Sequence, residues 1–128
     1  NLGTIIRIAD WFGIENIFCS PATADCYNPK VVQSTMASIG RINLIYGNLS
    51  KMLEQYPKIK KYAAVMDGED VCGNGKIKEG FIIIGNESKG ISEELLKEFD
   101  QKISITKKGN AESLNAAVAT GIILFALG

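Results

Sequence analysis

No histidine occurs among the 128 residues. Its absence removes the usual base of a Ser-His-Asp triad and the commonest proton shuttle near neutral pH. Acid or base chemistry therefore falls to Arg, Lys, Asp, Glu, Cys or Tyr, or to the substrate itself. Net charge is absent as well. Fourteen Lys and Arg balance 14 Asp and Glu, so no global field draws the chain onto nucleic acid or an anionic membrane, and any grip on a polyanion must come from local clusters. Cysteine is scarce: Cys19, Cys26 and Cys72 are odd in number and have no CxxC spacing. That pattern argues against a disulfide framework and against a metal site, and for reduced thiols in a cytoplasmic protein. Long apolar runs are missing too. The last one, Ala116 to Leu127, holds 12 residues against the roughly twenty that a membrane span needs, and it reads as a buried core helix. The residues after Asn1 already read as an amphipathic helix, so no signal peptide and no membrane partner are expected.

What is present fits one domain with a single core, since 46% of the 128 residues are hydrophobic, as in ordinary globular chains. From Gly3 to Phe12 apolar residues recur at helical spacing, with Gly13 as the stop. Residues 16 to 19 read as a short interior strand. Asn28 and Pro29 supply a cap and a first-turn proline for a helix over 29 to 38. A strand over 42 to 47, a helix over 48 to 56 and a strand over 61 to 66 follow. Residues 67 to 75 read as a loop in which Gly68, Gly73 and Gly75 permit turns. FIIIG, residues 81 to 85, is the strongest strand signal. Ser92 with Glu93 and Glu94 opens a helix over 91 to 99, and residues 102 to 106 alternate as a last strand before the closing helix. Strands alternating with helices in this rhythm predict an α/β fold, a mostly parallel sheet flanked by helices.

Ligands of such sheets bind beyond the carboxyl ends of the strands, and three stretches are expected there, the third of them at Arg7. GNESKG, residues 85 to 90, is either a glycine-shaped turn or a close backbone approach to a ligand, but no Lys-Ser or Lys-Thr follows as in a phosphate-binding P-loop. In KKGNAESLN, residues 107 to 115, Ser113 is placed either to cap the closing helix or to serve a site. Arg7 is a permanently charged residue in an otherwise apolar helix, which by itself describes a solvated charge.

Taken in order, NLGTIIRIADWFGI, GFIIIGNESKGIS and ISITKKGNAESLNAAVATGI resemble the three motifs of the SpoU-class (TrmH-like) RNA methyltransferases of the SPOUT superfamily, and YNPKVVQSTMASIGR between them is similar to that family as well. The resemblance spans essentially the whole chain. It implies an α/β domain over residues 1–128 with a C-terminal trefoil knot, an exception to the rule against knotted chains. It further implies S-adenosylmethionine as cofactor, a homodimer, and methyl transfer to a ribose 2′-hydroxyl of tRNA or rRNA. Carried over by motif, the cofactor-contacting positions are Met66, Gly85, Ile105 and Leu114. The same carry-over gives Arg7 the central catalytic role, with Asn1, Glu87, Ser113 and Asn115 ordering the site and Glu112 flanking the substrate side.

Relatives usually carry a strand and a Pro-containing loop before the first motif, and many carry an accessory RNA-binding domain; both are expected to be absent from this chain. Thr106 stands where the family usually has proline, and Ala37 where a glycine is common. With zero net charge, phosphate affinity is expected from Arg7, Lys30, Arg41, Lys107 and Lys108, and to be weak and salt-sensitive. Two other readings compete. One is a non-catalytic knotted dimer module that binds RNA or cofactor, disfavoured by the retained Arg7, Glu87, Ser113 and Asn115. The other is a generic nucleotide-binding α/β domain, for which ATP or NAD would compete for the pocket.

Overall fold

The apolar spacing after Asn1 folds as helix α1 (Leu2–Trp11), which buries Leu2, Gly3, Ile6 and Ala9 on one face. In the computed structural model, which describes residues 1–23, 28–35, 38–86 and 89–128, it is followed by β1 (Asn16–Cys19), α2 (Pro29–Thr35), β2 (Asn43–Tyr46), α3 (Leu49–Glu54), β3 (Lys61–Asp70), β4 (Phe81–Ile84), α4 (Glu93–Leu96), β5 (Gln101–Ser104) and α5 (Ala116–Leu127). Short 3-10 turns occupy Ser38–Gly40 and Val71–Gly73. Ala37, Cys26 and Glu87 lie outside the described residues.

The helix starts follow local chemistry. Asn28, Asn48 and Ser92 each accept a backbone N–H from the first turn that they open, at 3.0, 3.0 and 3.2 Å, and this satisfies donors that no intrahelical carbonyl can reach. The helix expected over 91 to 99 is shorter than its pattern, because only Glu93–Leu96 winds regularly.

Every strand pairing is parallel. β1 lies beside β2, and β3 lies between β4 and β5, forming a two-stranded and a three-stranded sheet. Parallel neighbours need crossover connections; α2 lies in the one from β1 to β2, whereas residues 71 to 80 between β3 and β4 hold only the 3-10 turn Val71–Gly73. Phe18 of β1 packs on Phe81 of β4 with ring centroids 5.3 Å apart, and Tyr56 closes on both rings, so aromatic side chains join the two sheets. Three apolar clusters form the core. Leu2, Ile6, Ala9, Cys19, Val31 and Ile42 lie between α1, α2 and the small sheet; Tyr62, Val71, Ile103, Ile123 and Leu127 lie under α5; Leu53, Ile83 and Leu95 lie under α3 and α4. Each fully buried aliphatic side chain contributes about 2 kcal/mol.

Two expectations need correction. Residues 67 to 70, read as loop, belong to β3, and the strand is interrupted rather than ended: Ala64 and Glu69 both stand in register with Ile103. The chain leaves the strand line between them and returns to the same residue of β5. Gly68 makes this return feasible, since a Cβ there would sit 2.6 Å from the backbone N and C of Ile103, an approach that only glycine allows. Ser104 Oγ seals it by donating to the Gly68 carbonyl at 2.9 Å. The second correction concerns α5, which is not a fully buried helix. Ala117, Thr120, Ile123 and Leu127 are buried, while Val118, Ile122 and Phe125 are 51%, 37% and 72% exposed. No helix among the described residues is long and apolar enough to cross a membrane.

Candidate functional site

Because β3, β4 and β5 are parallel, their carboxyl ends open on one side of the three-stranded sheet, where loops and helix starts converge. A cleft of about 510 Å³ lies there, lined by Met66 from the excursion in β3, by Gly85 after β4, and by Ile105, Ser113 and Leu114 after β5. Four positions named as cofactor contacts and one named as an ordering residue thus come from three separate segments to one cleft. Its walls are mostly aliphatic, including Ala64, Ile84, Ile91 and Ile123, with Lys107 and Lys108 at the lining of the loop after β5. Apolar walls beside loop backbone suit a flat, partly polar small molecule, and the volume falls within the roughly 300–1,000 Å³ of ligand clefts.

The loop after β4 owes its shape to glycine. A Cβ on Gly85 would lie 2.7 Å from the carbonyl carbon of Gly90 and 2.9 Å from the nitrogen of Ile91. Asn86 and Gly90 exchange backbone hydrogen bonds of 3.1 and 2.8 Å. The turn and ligand readings of this stretch are therefore compatible, since Gly85, Asn86 and Gly90 also line the cleft.

A second constellation lies where α1 and α5 begin. Asn115, not Ser113, caps α5: its Oδ1 accepts from the N–H groups of Ala117 and Val118 at 2.9 and 3.2 Å. Helix α5 starts at Ala116, which places Asn115 at the capping position and leaves Ser113 to the cleft. The Asn115 amide also donates to Asn1 Oδ1 at 2.9 Å. One turn and a half further along, Ile8 lies against Gly121, with a methyl 3.7 Å from the position a Cβ would take. The two helices therefore run side by side in the same direction, with their N-termini together.

Arg7 is exposed and, among the described residues, makes no hydrogen bond or ion pair. It does not line the cleft, and neither do Asn1, Glu112 and Asn115. The structure thus gathers the expected cofactor positions with Ser113, pairs Asn1 with Asn115, and leaves Arg7 apart from the cleft. Arg41, expected among the phosphate ligands, is otherwise engaged. Its Nη2 lies 2.6 Å from Asp10 Oδ2, its Nε donates to both carboxylate oxygens, and Ser38 Oγ donates to Oδ2 at 2.7 Å. These donors hold the Asp10 carboxyl below the ordinary carboxylate range, Arg41 contributing most.

One contact at the cleft had no local sequence signal. Thr106 Oγ1 donates to Asp70 Oδ2 at 2.5 Å across 36 residues of chain, and Asp70 Oδ1 accepts from the backbone N–H of Cys72 at 2.8 Å. The Asp70 carboxyl is lowered by the Thr106 hydrogen bond first and the Cys72 backbone next, with a smaller contribution from the charge of Lys108.

The model of the SpoU rRNA Methylase family matches residues 1–125. Over 130 residues the chain is 32% identical to the 23S rRNA (guanosine(2553)-2'-O)-methyltransferase RlmP of Bacillus subtilis (strain 168), covering 99% of this chain and 52% of that protein. It is similar in structure to an AdoMet-bound rRNA methyltransferase from Sinorhizobium meliloti, with a TM-score of 0.88, 32% identity, and coverage of 98% of this chain and 49% of that one. It is likewise similar to the SpoU methyltransferase AviRb from Streptomyces viridochromogenes in complex with AdoMet, with a TM-score of 0.86, 29% identity, and coverage of 98% and 53%. The chain spans about half the length of the curated relatives it matches.

Proposed function

Because the chain belongs to the SpoU rRNA Methylase family, we propose that residues 1–128 form a methyltransferase domain that transfers a methyl group from S-adenosylmethionine to a ribose 2′-hydroxyl of tRNA or rRNA. One observation carries this reading: Met66, Gly85, Ile105, Leu114 and Ser113, far apart in sequence, line a single cleft in a chain that is similar to structures holding AdoMet. The lining fits such a molecule. Aliphatic side chains suit the adenine face and the methylene carbons of the methionine part, and the backbone around Gly85 and Ile105 offers partners for the polar edges. When bound, S-adenosylmethionine supplies an electrophilic methyl group on a sulfonium.

The protein's part is to hold that methyl in line with a weak nucleophile and to help the hydroxyl lose its proton. Arg7 is the residue for this. A guanidinium stays charged at neutral pH, so Arg7 binds a neighbouring phosphate and polarises the ribose hydroxyl rather than acting first as a base. Arg7 has no competing ion pair among the described residues, unlike Arg41. Changing Arg7 to Ala is expected to lower methyl transfer by roughly a hundredfold, as for loss of one key electrostatic donor, while S-adenosylhomocysteine affinity stays within about twofold. Unchanged turnover in that variant contradicts the assignment.

The same reading makes the protein a homodimer. Val118, Ile122 and Phe125 leave an apolar stripe on α5, and Trp11 at the end of the neighbouring α1 is 84% exposed, which is more than a lone monomer needs to leave uncovered. A second copy packed there also accounts for an Arg7 that lies outside its own copy's cleft. Phe125→Glu is expected to give a monomer by sedimentation that binds S-adenosylhomocysteine but no longer methylates RNA. A monomeric variant with full turnover contradicts the shared site. A C-terminal trefoil knot belongs to the same reading and rests on membership of the family. A crystallographic trace in which the C-terminal segment threads no loop contradicts it.

A further inference from the structure

Between the end of β5 at Ser104 and the start of α5 at Ala116, the chain is neither helix nor strand. This segment nevertheless supplies Ile105, Thr106, Lys107, Lys108, Ser113 and Leu114 to the cleft. A wall built from irregular backbone needs something to fix it. Among the described residues, the Thr106 hydroxyl is the one side chain from Ile105 to Leu114 that makes a hydrogen bond or ion pair, and its acceptor is Asp70.

Asp70 is a firm anchor. Its second oxygen holds the N–H of Cys72 and so starts the 3-10 turn Val71–Gly73, whose first residue, Val71, is buried in the core under α5. Its neighbour Glu69 accepts from the Gln101 amide of β5 at 2.9 Å, and the same amide donates to Asn74 at 2.8 Å. Asp70 also ends the excursion of β3 that brings Val65 and Met66 to the cleft lining. One carboxylate thus links the segment after β5 to the strand that carries them.

Threonine leaves its own φ free, so what fixes the backbone at residue 106 is the contact its hydroxyl makes. We propose that the Thr106–Asp70 hydrogen bond holds this wall of the cleft in place, making Thr106 and Asp70 positioning residues for the methyl donor. The proposal rests on the reading of the cleft as the S-adenosylmethionine site. Because the carboxylate is ionised, the bond is of the stronger, charge-assisted kind.

The test is calorimetric titration of the intact protein with S-adenosylhomocysteine, together with steady-state kinetics in both substrates. Thr106→Val, which keeps the shape and loses the hydroxyl, is expected to weaken binding roughly fivefold. The KM for the methyl donor rises in step, and kcat at saturating donor holds. Thr106→Ser retains the hydroxyl and is expected to stay within about twofold of the unaltered protein. In an Asp70→Ala background the Thr106→Val effect should vanish, since a double-mutant cycle isolates the pairwise contact. Both residues are exposed, so Thr106→Val and Thr106→Ser should melt like the unaltered protein, whereas Asp70→Ala also loses the cap on Cys72 and should melt somewhat earlier. Full affinity in Thr106→Val, or an equal loss with and without Asp70, overturns the proposal while leaving the cofactor reading intact. An unaltered protein that does not bind S-adenosylhomocysteine overturns the cofactor reading and this proposal with it.

Discussion

Asn115 uses both ends of its side chain, and the two uses separate under substitution. The carbonyl oxygen caps α5 while the amide holds Asn1. Serine caps a helix as well as asparagine does but is too short to reach Asn1. Asn115→Ser should therefore unfold within a few tenths of a kcal/mol of the unaltered protein, and Asn115→Ala about 1 kcal/mol earlier, as read by denaturant melts. If the Asn1–Asn115 pair orders the reaction, both variants lose turnover equally. Turnover that followed stability instead would reduce Asn115 to a cap. From sequence Ser113 reads as the candidate cap and Asn115 does not, because that choice depends on where α5 begins. Apolar residues from Leu114 onward fit a helix in either frame. Glu87 is the one proposed site residue that falls outside the described residues.

At the scale of elements, the interrupted β3 and the Asp10–Arg41 link fix how the site is framed. Asp10 near the end of α1 holds Arg41 and Ser38, so it pins the turn before β2 to the helix that carries Arg7. Its carboxyl is depressed in the folded protein. A depressed carboxyl contributes stability above its unfolded value, and this contribution is lost as the pH falls through the folded value. The melting-temperature gap between the unaltered protein and Asp10→Asn should therefore be full at neutral pH and close progressively below about pH 4. A gap unchanged down to about pH 3 would mean that Asp10 is not the group that titrates. The strands at 16, 43, 61, 81 and 101 were legible because each is a short apolar or alternating run bounded by turn residues. The second arm of β3 was not. Its residues, Asp67 to Asp70, are polar and glycine-containing, and they become strand only through pairing with Ile103 and Ser104 far along the chain. Tertiary contact overrides local preference there. The exposed stripe of α5 was hidden for a related reason: a helix apolar on all sides carries no periodicity that says which face is covered.

For the molecule as a whole, the family was legible in three motifs, and the convergence of Met66, Gly85, Ile105, Ser113 and Leu114 on one cleft gives those motifs a physical meaning. The separation of Arg7 from that cleft was not legible, since spacing along a chain does not say how far a side chain lies from a cleft in the fold. The zero net charge over 128 residues means that, under the proposed function, phosphate affinity must come from local positive side chains such as Arg7, Lys30, Lys107 and Lys108, since Arg41 is paired with Asp10. The central claim is transfer to a ribose hydroxyl, and it has a direct chemical signature, because a methylated 2′-oxygen can no longer attack the adjacent phosphate when RNA is treated with alkali. The decisive measurement incubates the intact protein with radiolabelled S-adenosylmethionine and ribosomal or transfer RNA and separates the alkaline digest. The account predicts label in alkali-resistant dinucleotides; label only in mononucleotides, or none in RNA, would contradict it.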